Sequence, residues 1–487
     1  MKAKHFGLVG IGMVIGVAAS FQLSAHAQKN GAPLPLDELR QLADVYGLIK
    51  TDYVEPVEDK KLLSEAIGGM VASLDPHSVY LDQKAFRDMR EAVQGKFVGV
   101  GVEIANEDGY IKVVSPIEDT PAYKAGIKSG DLITRIDNVP VRNMSSDEAI
   151  KRMRGKVGSK VTLTIARPGE DKPWVVPVNR QEIKVQSVKV KMVEPGYAWL
   201  RISQFQENTL DDLAKRTREL YAENPDIKGL VLDLRNDPGG LLPGAIGVSA
   251  AFLPQPDQVI VTTKGQLPDS NQAFYGRREF YAQRGDPLAG LPAGLKTVPM
   301  VVLVNGGSAS ASEIVAGALQ DYKRATLLGS RTFGKGSVQT LRQLSPDTAI
   351  KLTTARYYTP KGRPIQATGI EPDLRVDESA EGDLLNALRV READLQRHLA
   401  AEDEQPGAPK DASGSLAQQQ RALALLKDRK PLEFGGKDDF QLAQALNHFK
   451  GLKVQLAQGI PDEDRPAPAP LPGAEHKPPE LKAPPKK

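Results

Sequence analysis

The chain has 487 residues, of which 40% are hydrophobic and 26% charged, with a formal net charge of +3. That length implies several cores rather than one, and a nearly balanced charge gives no footprint of a nucleic-acid binder. The absence of cysteine excludes disulfides, thiolate metal sites and cysteine nucleophiles together.

Residues 1–27 read as a secretory signal peptide. Met1-Lys-Ala-Lys4 is a positive n-region, Phe6 to Ala19 an apolar h-region, and Ala25-His26-Ala27 a small-x-small cleavage site. The alternative is an uncleaved anchor in the inner membrane, because Phe6 to Leu23 is 18 residues long and borderline for spanning. Either reading places the body of the protein outside the cytoplasm, and a cleaved signal places it in the periplasm.

Residues 34–94 form a helical region. Leu36, Leu39, Leu42, Ala43, Tyr46 and Ile49 recur at helix spacing, as do Leu62, Leu63, Ala66, Ile67, Met70 and Val71. Asp75-Pro-His-Ser78 breaks that pattern before a third short helix from Gln83 to Val93. An apolar stripe of this length has to be covered, and a homo-oligomer through these and the C-terminal helices is the expectation.

Residues 95–180 change to short strands and turns. Phe97-Val-Gly-Val-Gly101-Val-Glu-Ile104 is a glycine-punctuated strand, Thr120 to Gly126 a short helix, Asp131 to Pro140 a strand and turn, Ser146 to Arg154 a helix, and Lys160 to Arg167 a last strand. The stretch resembles a PDZ domain. By that resemblance Gly99, Val100, Gly101 and Val102 form the loop whose amides capture a peptide's C-terminal carboxylate, and the peptide adds as a strand to the sheet edge. Arg167, at a strand end, resembles an arginine of such domains that assists the captured tail.

Residues 181–378 alternate strand and helix, the texture of an α/β core. Gly229-Leu-Val-Leu-Asp-Leu234 is a buried strand running into Arg235-Asn-Asp-Pro-Gly239-Gly240. Val298 to Val304 is another, broken at Asn305-Gly-Gly307 and followed by Ser308-Ala-Ser310-Ala-Ser312-Glu313. A third, Ala325 to Gly329, leads into Arg331-Thr-Phe-Gly-Lys335-Gly-Ser-Val-Gln339. Residues 379–455 return to helix, at 380–405, 415–428 and 438–450. Residues 456–487 are a proline- and lysine-rich tail expected to be disordered.

The six histidines decide which chemistry is open. His5 and His26 belong to the signal, and His398, His448 and His476 to the C-terminal region, which leaves His77 in a proline turn. A Ser-His-Asp triad has no general base in the α/β domain, and no metal site built on histidine clusters is expected. A neutral lysine can activate a serine when burial disfavours its ammonium, and Lys335 fits that role between two glycines after an apolar strand. Gly329 to Lys335 also matches most of a phosphate-binding loop. Gly336 stands where Ser or Thr would hold magnesium, and the strand after it presents no helix N-terminus, so no nucleotide is expected. Ser310 with Glu313 is a capping box, and a helix start offers free N–H groups to an oxyanion. Physical reasoning alone leaves Ser308, Ser310 and Ser312 as alternatives.

The serine and lysine motifs, the Asp233-to-Gly240 stretch, the PDZ-like insert and Asp75-Pro-His-Ser-Val-Tyr-Leu81 together resemble the carboxyl-terminal processing (tail-specific) proteases over roughly residues 35–378. The resemblance implies an α/β multidomain protein with a crotonase-like core and an inserted PDZ domain. It implies Ser310 as nucleophile, Lys335 as base, Gln339 orienting the lysine, and an oxyanion hole from the amide of Gly239 or Gly240 and that of Ala311. No cofactor is expected, and the partners are protein substrates with exposed apolar C-termini. Whether a separate adaptor protein is needed stays open. The rival readings are a non-catalytic PDZ scaffold and a crotonase-fold enzyme acting on acyl-CoA.

Overall fold

The structure, a computed structural model, describes residues 34–401, apart from 108, 118, 143, 171, 381 and 383–388, and residues 432–457. The expected signal peptide, the helix expected at 415–428 and the tail beyond Ala457 lie outside these residues. The chain divides into two compact units between Gly69 and Met70. The first contains α1 (Leu36–Asp52) and most of α2 (Asp59–Ala72). No residue of α1 is buried, and Leu36, Leu39, Leu42 and Leu48 are exposed along it. Lys50 Nζ reaches Asp59 Oδ1 at 2.6 Å and closes the link between the two helices. No described helix is long and apolar enough to cross a membrane.

The second unit opens with β1 (Val79–Leu81) and α3 (Gln83–Gln94), which Asp82 caps by accepting Ala85 N–H at 2.8 Å. The next strands are β2 (Lys96–Gly99), β3 (Val102–Glu107), β4 (Tyr110–Pro116), then α4 (Pro121–Lys124), β5 (Leu132–Ile136), β6 (Val139–Pro140), α5 (Ser146–Met153), β7 (Lys160–Ala166) and β8 (Trp174–Asn179). They build an antiparallel sheet in the order β3-β4-β5-β7-β8, with β6 on β5. Alternation explains its core: Val161, Leu163 and Ile165 of β7 are fully buried against Ile111, Ile133 and Ile136. β3 ends this sheet, with β4 as its partner. β9 (Gln181–Lys184) returns to pair with β2, Phe97 opposite Ile183, and the two strands form a ribbon at the root of this domain.

The main sheet follows, as β10 (Val188–Glu194), β11 (Tyr197–Ile202), β12 (Gly229–Asp233), then β15 (Met300–Val304), β16 (Thr326–Gly329) and β19 (Leu374–Arg375), in that spatial order. From β11 onward it is parallel. Every residue of β12 and β15 is buried, as a sheet covered on both faces requires. Leu230, Leu232, Met300 and Val302 point to one face, under α6 (Thr209–Glu223), α7 (Leu242–Phe252) and α8 (Ala311–Asp321). Val231, Val301 and Leu303 point to the other, under α9 (Phe440–Phe449). A second sheet, absent from the sequence reading, combines β1, β13 (Val259–Gly265), β14 (Gln272–Tyr275), β17 (Ser337–Ser345) and β18 (Thr348–Tyr358).

The helix expected at 380–405 does not form over residues 389–401. Its described residues from 389 onward hold a single 3₁₀ turn, Glu392–Asp394. Glu392 N–H donates to Phe333 O at 3.1 Å, and its fully buried carboxylate faces His77 and Gln366, so tertiary partners replace the helical ladder. Of the helix expected at 438–450, residues 440–449 form α9.

A buried ion network fastens α9 to the main sheet. Arg235 is fully buried between Asp233 and Asp439, its Nη2 reaching Asp233 Oδ2 and Asp439 Oδ2 at 2.6 Å each, with Phe434 4.7 Å above the guanidinium. Asp439 also caps α9 by accepting Leu442 N–H. Removing one partner of such a cluster strands a buried charge. Asp439→Ala is expected to cost about 3–5 kcal/mol, and Asp439→Asn, which keeps the cap, measurably less, both read from urea unfolding midpoints.

Candidate active site

β15 delivers the serines. At its end Asn305 Oδ1 accepts Asn236 N–H at 2.9 Å and its Nδ2 donates to Asn236 Oδ1 at 2.9 Å, which ties this turn to the turn after β12. Two of the three serine hydroxyls are already committed. Ser308 Oγ donates to Leu234 O at 2.8 Å, and Ser312 Oγ to Asp237 O at 3.0 Å; both residues are fully buried. Ser310 stands between them at the N-cap of α8, with φ 56° and ψ −112° and no capping hydrogen bond from its hydroxyl. Positive φ in a serine is strained and is retained where the surroundings over-determine it.

The lysine side is fastened to the serine side through one residue. Glu313, three residues after Ser310 and fully buried, accepts Ser310 N–H at 2.7 Å and Lys335 N–H at 2.9 Å on Oε2. Its Oε1 accepts Thr332 Oγ1–H at 2.6 Å and Gly334 N–H at 2.7 Å. Burial pushes this carboxyl up to about 7 against the pull of those donors. A proton on either oxygen would displace one of them, so the bonded arrangement is that of the carboxylate. Phe333 N–H closes the same gap by donating to Ser308 O at 3.0 Å. Gly336 comes so close to residue 366 that a Cβ would meet Gln366 N at 2.1 Å.

Burial lowers the Lys335 ammonium to about 8, and Lys351 adds to the fall. Glu392, Glu313 and Asp75 oppose it without reversing it. Gln339 lies beside Lys335 in the chain, but its Nε2 donates to Ser337 Oγ at 2.9 Å and to Thr353 Oγ1 at 3.4 Å, not to the lysine. Thr353 Oγ1 donates in turn to Asp75 Oδ1 at 3.1 Å. His77 Nε2 lies 2.7 Å from Glu392 Oε2, while Gln366 Nε2 donates to Glu392 Oε1 and Gly336 N–H donates to Gln366 Oε1. Asp75, Gln366 and Glu392 thus support the lysine turn from three distant stretches. The sequence reading missed these roles; the Asp75-Pro-His-Ser78 motif was the available signal.

The glycine turn meets the serine. A Cβ on Gly239 would lie 2.8 Å from Ala311 N and 2.9 Å from Ser310 Cβ, and one on Gly240 2.0 Å from Phe205 O. Gly239 N–H donates to Asp237 Oδ1 at 2.8 Å. Phe205 N–H donates to Gly239 O, and Gln206, the next residue, packs against Gly95 at the root of the β2–β9 ribbon.

In the domain built on β3 to β8, Val100 O accepts Ala122 N–H at 2.9 Å, and Gly101, at φ 83°, packs against Thr120. Gly99 closes the ribbon opposite Gln181, and Val102 begins the edge strand β3. Arg167 makes a two-pronged pair with buried Asp131, Nε to Oδ1 at 2.7 Å and Nη2 to Oδ2 at 2.9 Å. Its remaining hydrogen bonds go to Gly126 O and Glu170, not to the Gly99–Val102 loop. Among the described residues no group of three or more metal-ligating side chains could hold an ion.

Glu313 holds both halves of the site with donors that an amide cannot all satisfy. Glu313→Gln is therefore expected to lower kcat on the order of 10²-fold with KM little changed, measured on a fluorogenic peptide.

Comparisons with known proteins identify the family. Peptidase family S41 matches residues 196–376, the PDZ domain residues 88–166, and the activating protease CtpB N-terminal domain residues 15–85. A carboxy-terminal-processing protease of Bartonella bacilliformis is 41% identical over 458 residues, 93% of this chain and 98% of that one. A probable CtpA-like serine protease of Staphylococcus epidermidis is 35% identical over 385 residues, 77% of this chain and 74% of that one. Among solved structures, a photosystem II D1 C-terminal processing protease is 30% identical with a TM-score of 0.40, over 69% of this chain and 86% of that one. The chain belongs to the carboxy-terminal-processing proteases of peptidase family S41, serine peptidases that here carry a PDZ domain.

Proposed function

We propose that this peptidase is exported to the periplasm, takes the C-terminus of a protein substrate on its PDZ domain, and cleaves near that end with Ser310 as nucleophile and Lys335 as general base. The core on which the pair sits is read as crotonase-like. The observation that carries the proposal is the Glu313 carboxylate, which accepts the backbone N–H of Ser310 and of Lys335 on the same oxygen. The committed hydroxyls of Ser308 and Ser312 and the lowered Lys335 ammonium support it.

In the reaction, neutral Lys335 takes the Ser310 hydroxyl proton as Oγ bonds to the scissile carbonyl carbon. The oxyanion is met by Ala311 N–H and a glycine N–H from the 239–240 turn. Lys335 gives its proton to the leaving nitrogen as the C–N bond breaks, and an acyl-enzyme remains. Water, deprotonated by Lys335, then attacks the ester, and Ser310 recovers its proton as the new carboxyl end leaves. Substrate capture uses the free edge of β3 for strand addition and the amides of the Gly99–Val102 loop for the terminal carboxylate. The exposed stripe of α1 supports self-association.

Ser310→Ala and Lys335→Ala are each expected to lower kcat on the order of 10⁴-fold, and Lys335→Arg equally, since guanidinium stays charged. A base must be unprotonated, so wild-type kcat/KM should climb about tenfold per pH unit below the Lys335 value of about 8. Proteolysis persisting in Lys335→Ala would overturn the assignment. Amidating the C-terminus of a tagged substrate should weaken its binding to the Ser310→Ala protein at least about tenfold, read by fluorescence anisotropy.

A further inference from the structure

Gly239 presents a problem for the reaction just described. It is the glycine that packs against Ser310 and Ala311, yet its N–H already donates to Asp237 Oδ1 at 2.8 Å. Asp237 is itself fully buried, and its Oδ2 has no hydrogen-bond partner among the described residues. The backbone around it is held from the serine side, since Asp237 O accepts Ala309 N–H at 2.9 Å and Ser312 Oγ–H at 3.0 Å. The carboxyl therefore sits in the same turn as the donor, braced by the residues on either side of Ser310. A buried carboxyl oxygen without a partner is an unstable place for a negative charge.

We propose that Asp237 is a positioning residue that gates the oxyanion hole: its carboxyl holds the Gly239 N–H within the turn, and that N–H becomes available to a developing oxyanion while the carboxyl is uncharged. The inference rests on the reading of Ser310 as nucleophile. Two effects work in the same direction. A carboxylate holds an N–H roughly twice as strongly as a neutral acid does. It also adds negative potential where the reaction builds a second negative charge. Burial pushes Asp237 up to about 8, so both forms are populated near neutral pH. The charged groups facing it are Arg201, which opposes that rise, and Asp233, which adds to it. On the serine side the main-chain carbonyl of Asp237 accepts the Ser312 hydroxyl and the Ala309 N–H, and that hydroxyl also pulls the carboxyl down.

The gate and the base titrate in opposite senses. Activity needs Lys335 without its proton and Asp237 with one, which gives a bell with its maximum near pH 8. The test is kcat/KM of the full chain on a fluorogenic peptide from about pH 6 to about pH 10, for wild type and Asp237→Asn. Asparagine keeps an oxygen for Gly239 N–H and cannot ionise. Wild type should be about eightfold slower at about pH 9.5 than at its maximum, while Asp237→Asn should be about twofold faster there than at about pH 8. A falling limb that persists unchanged in Asp237→Asn overturns the gate and leaves the dyad standing. A falling limb removed by the substitution, with no rising limb in either protein, supports the gate and counts against Lys335 as base. Should the variant not fold, a wild-type profile flat to about pH 10 overturns the proposal by itself.

Discussion

One buried carboxylate holds this site together. Glu313 begins α8 three residues after Ser310, and its two oxygens take four donors, from Ser310, Thr332, Gly334 and Lys335. A helix start and a glycine turn on neighbouring parallel strands have no covalent reason to keep a fixed spacing. The carboxylate supplies one, at a desolvation cost that four donors offset. The strained backbone of Ser310 is over-determined by the same contacts, together with the pinned hydroxyls of Ser308 and Ser312 on either side.

The lysine is a contest between burial and charge. Three carboxylates near Lys335 favour its ammonium, and burial still lowers it from 10.5 to about 8, a difference on the order of 3 kcal/mol. Those carboxylates are themselves engaged: Glu313 by its four donors, Asp75 by Ser78 and Thr353, and Glu392 by His77 and Gln366. Hydrogen bonds that orient them behind the turn leave less of their charge for the ammonium. Lys351, lowered by burial in its turn, adds the opposing positive charge.

The glycine turn joins the remaining parts. Phe205 and Gly239 share a backbone hydrogen bond, Gln206 packs on Gly95, and Gly95 O accepts Val185 N–H where β9 leaves the ribbon. The root of the PDZ domain and the turn beside Ser310 therefore lie a few residues of backbone apart. On the far face of the sheet, Arg235 leads into that same turn and is clamped between Asp233 and Asp439. The turn is thus fixed from the PDZ side, from the C-terminal helix and from Asn305 on the serine loop.

The sequence by itself determined the fold class, through buried apolar strands alternating with helices, and the chemistry left open, through a histidine census and a glycine-flanked lysine. Turn glycines and small residues are legible because backbone geometry admits few alternatives at those positions. Residue-level physics stopped at three equivalent serines. The tertiary structure separated them, because the acceptors that hold Ser308 and Ser312, at Leu234 and Asp237, lie more than seventy positions away in the chain. It likewise put a 3₁₀ turn at Glu392, within the helix expected at 380–405, behind the lysine turn and gave the Gly239 N–H an acceptor in Asp237. Hydrogen-bond commitment and desolvation are set by neighbours in space, and spacing along the chain carries no record of them.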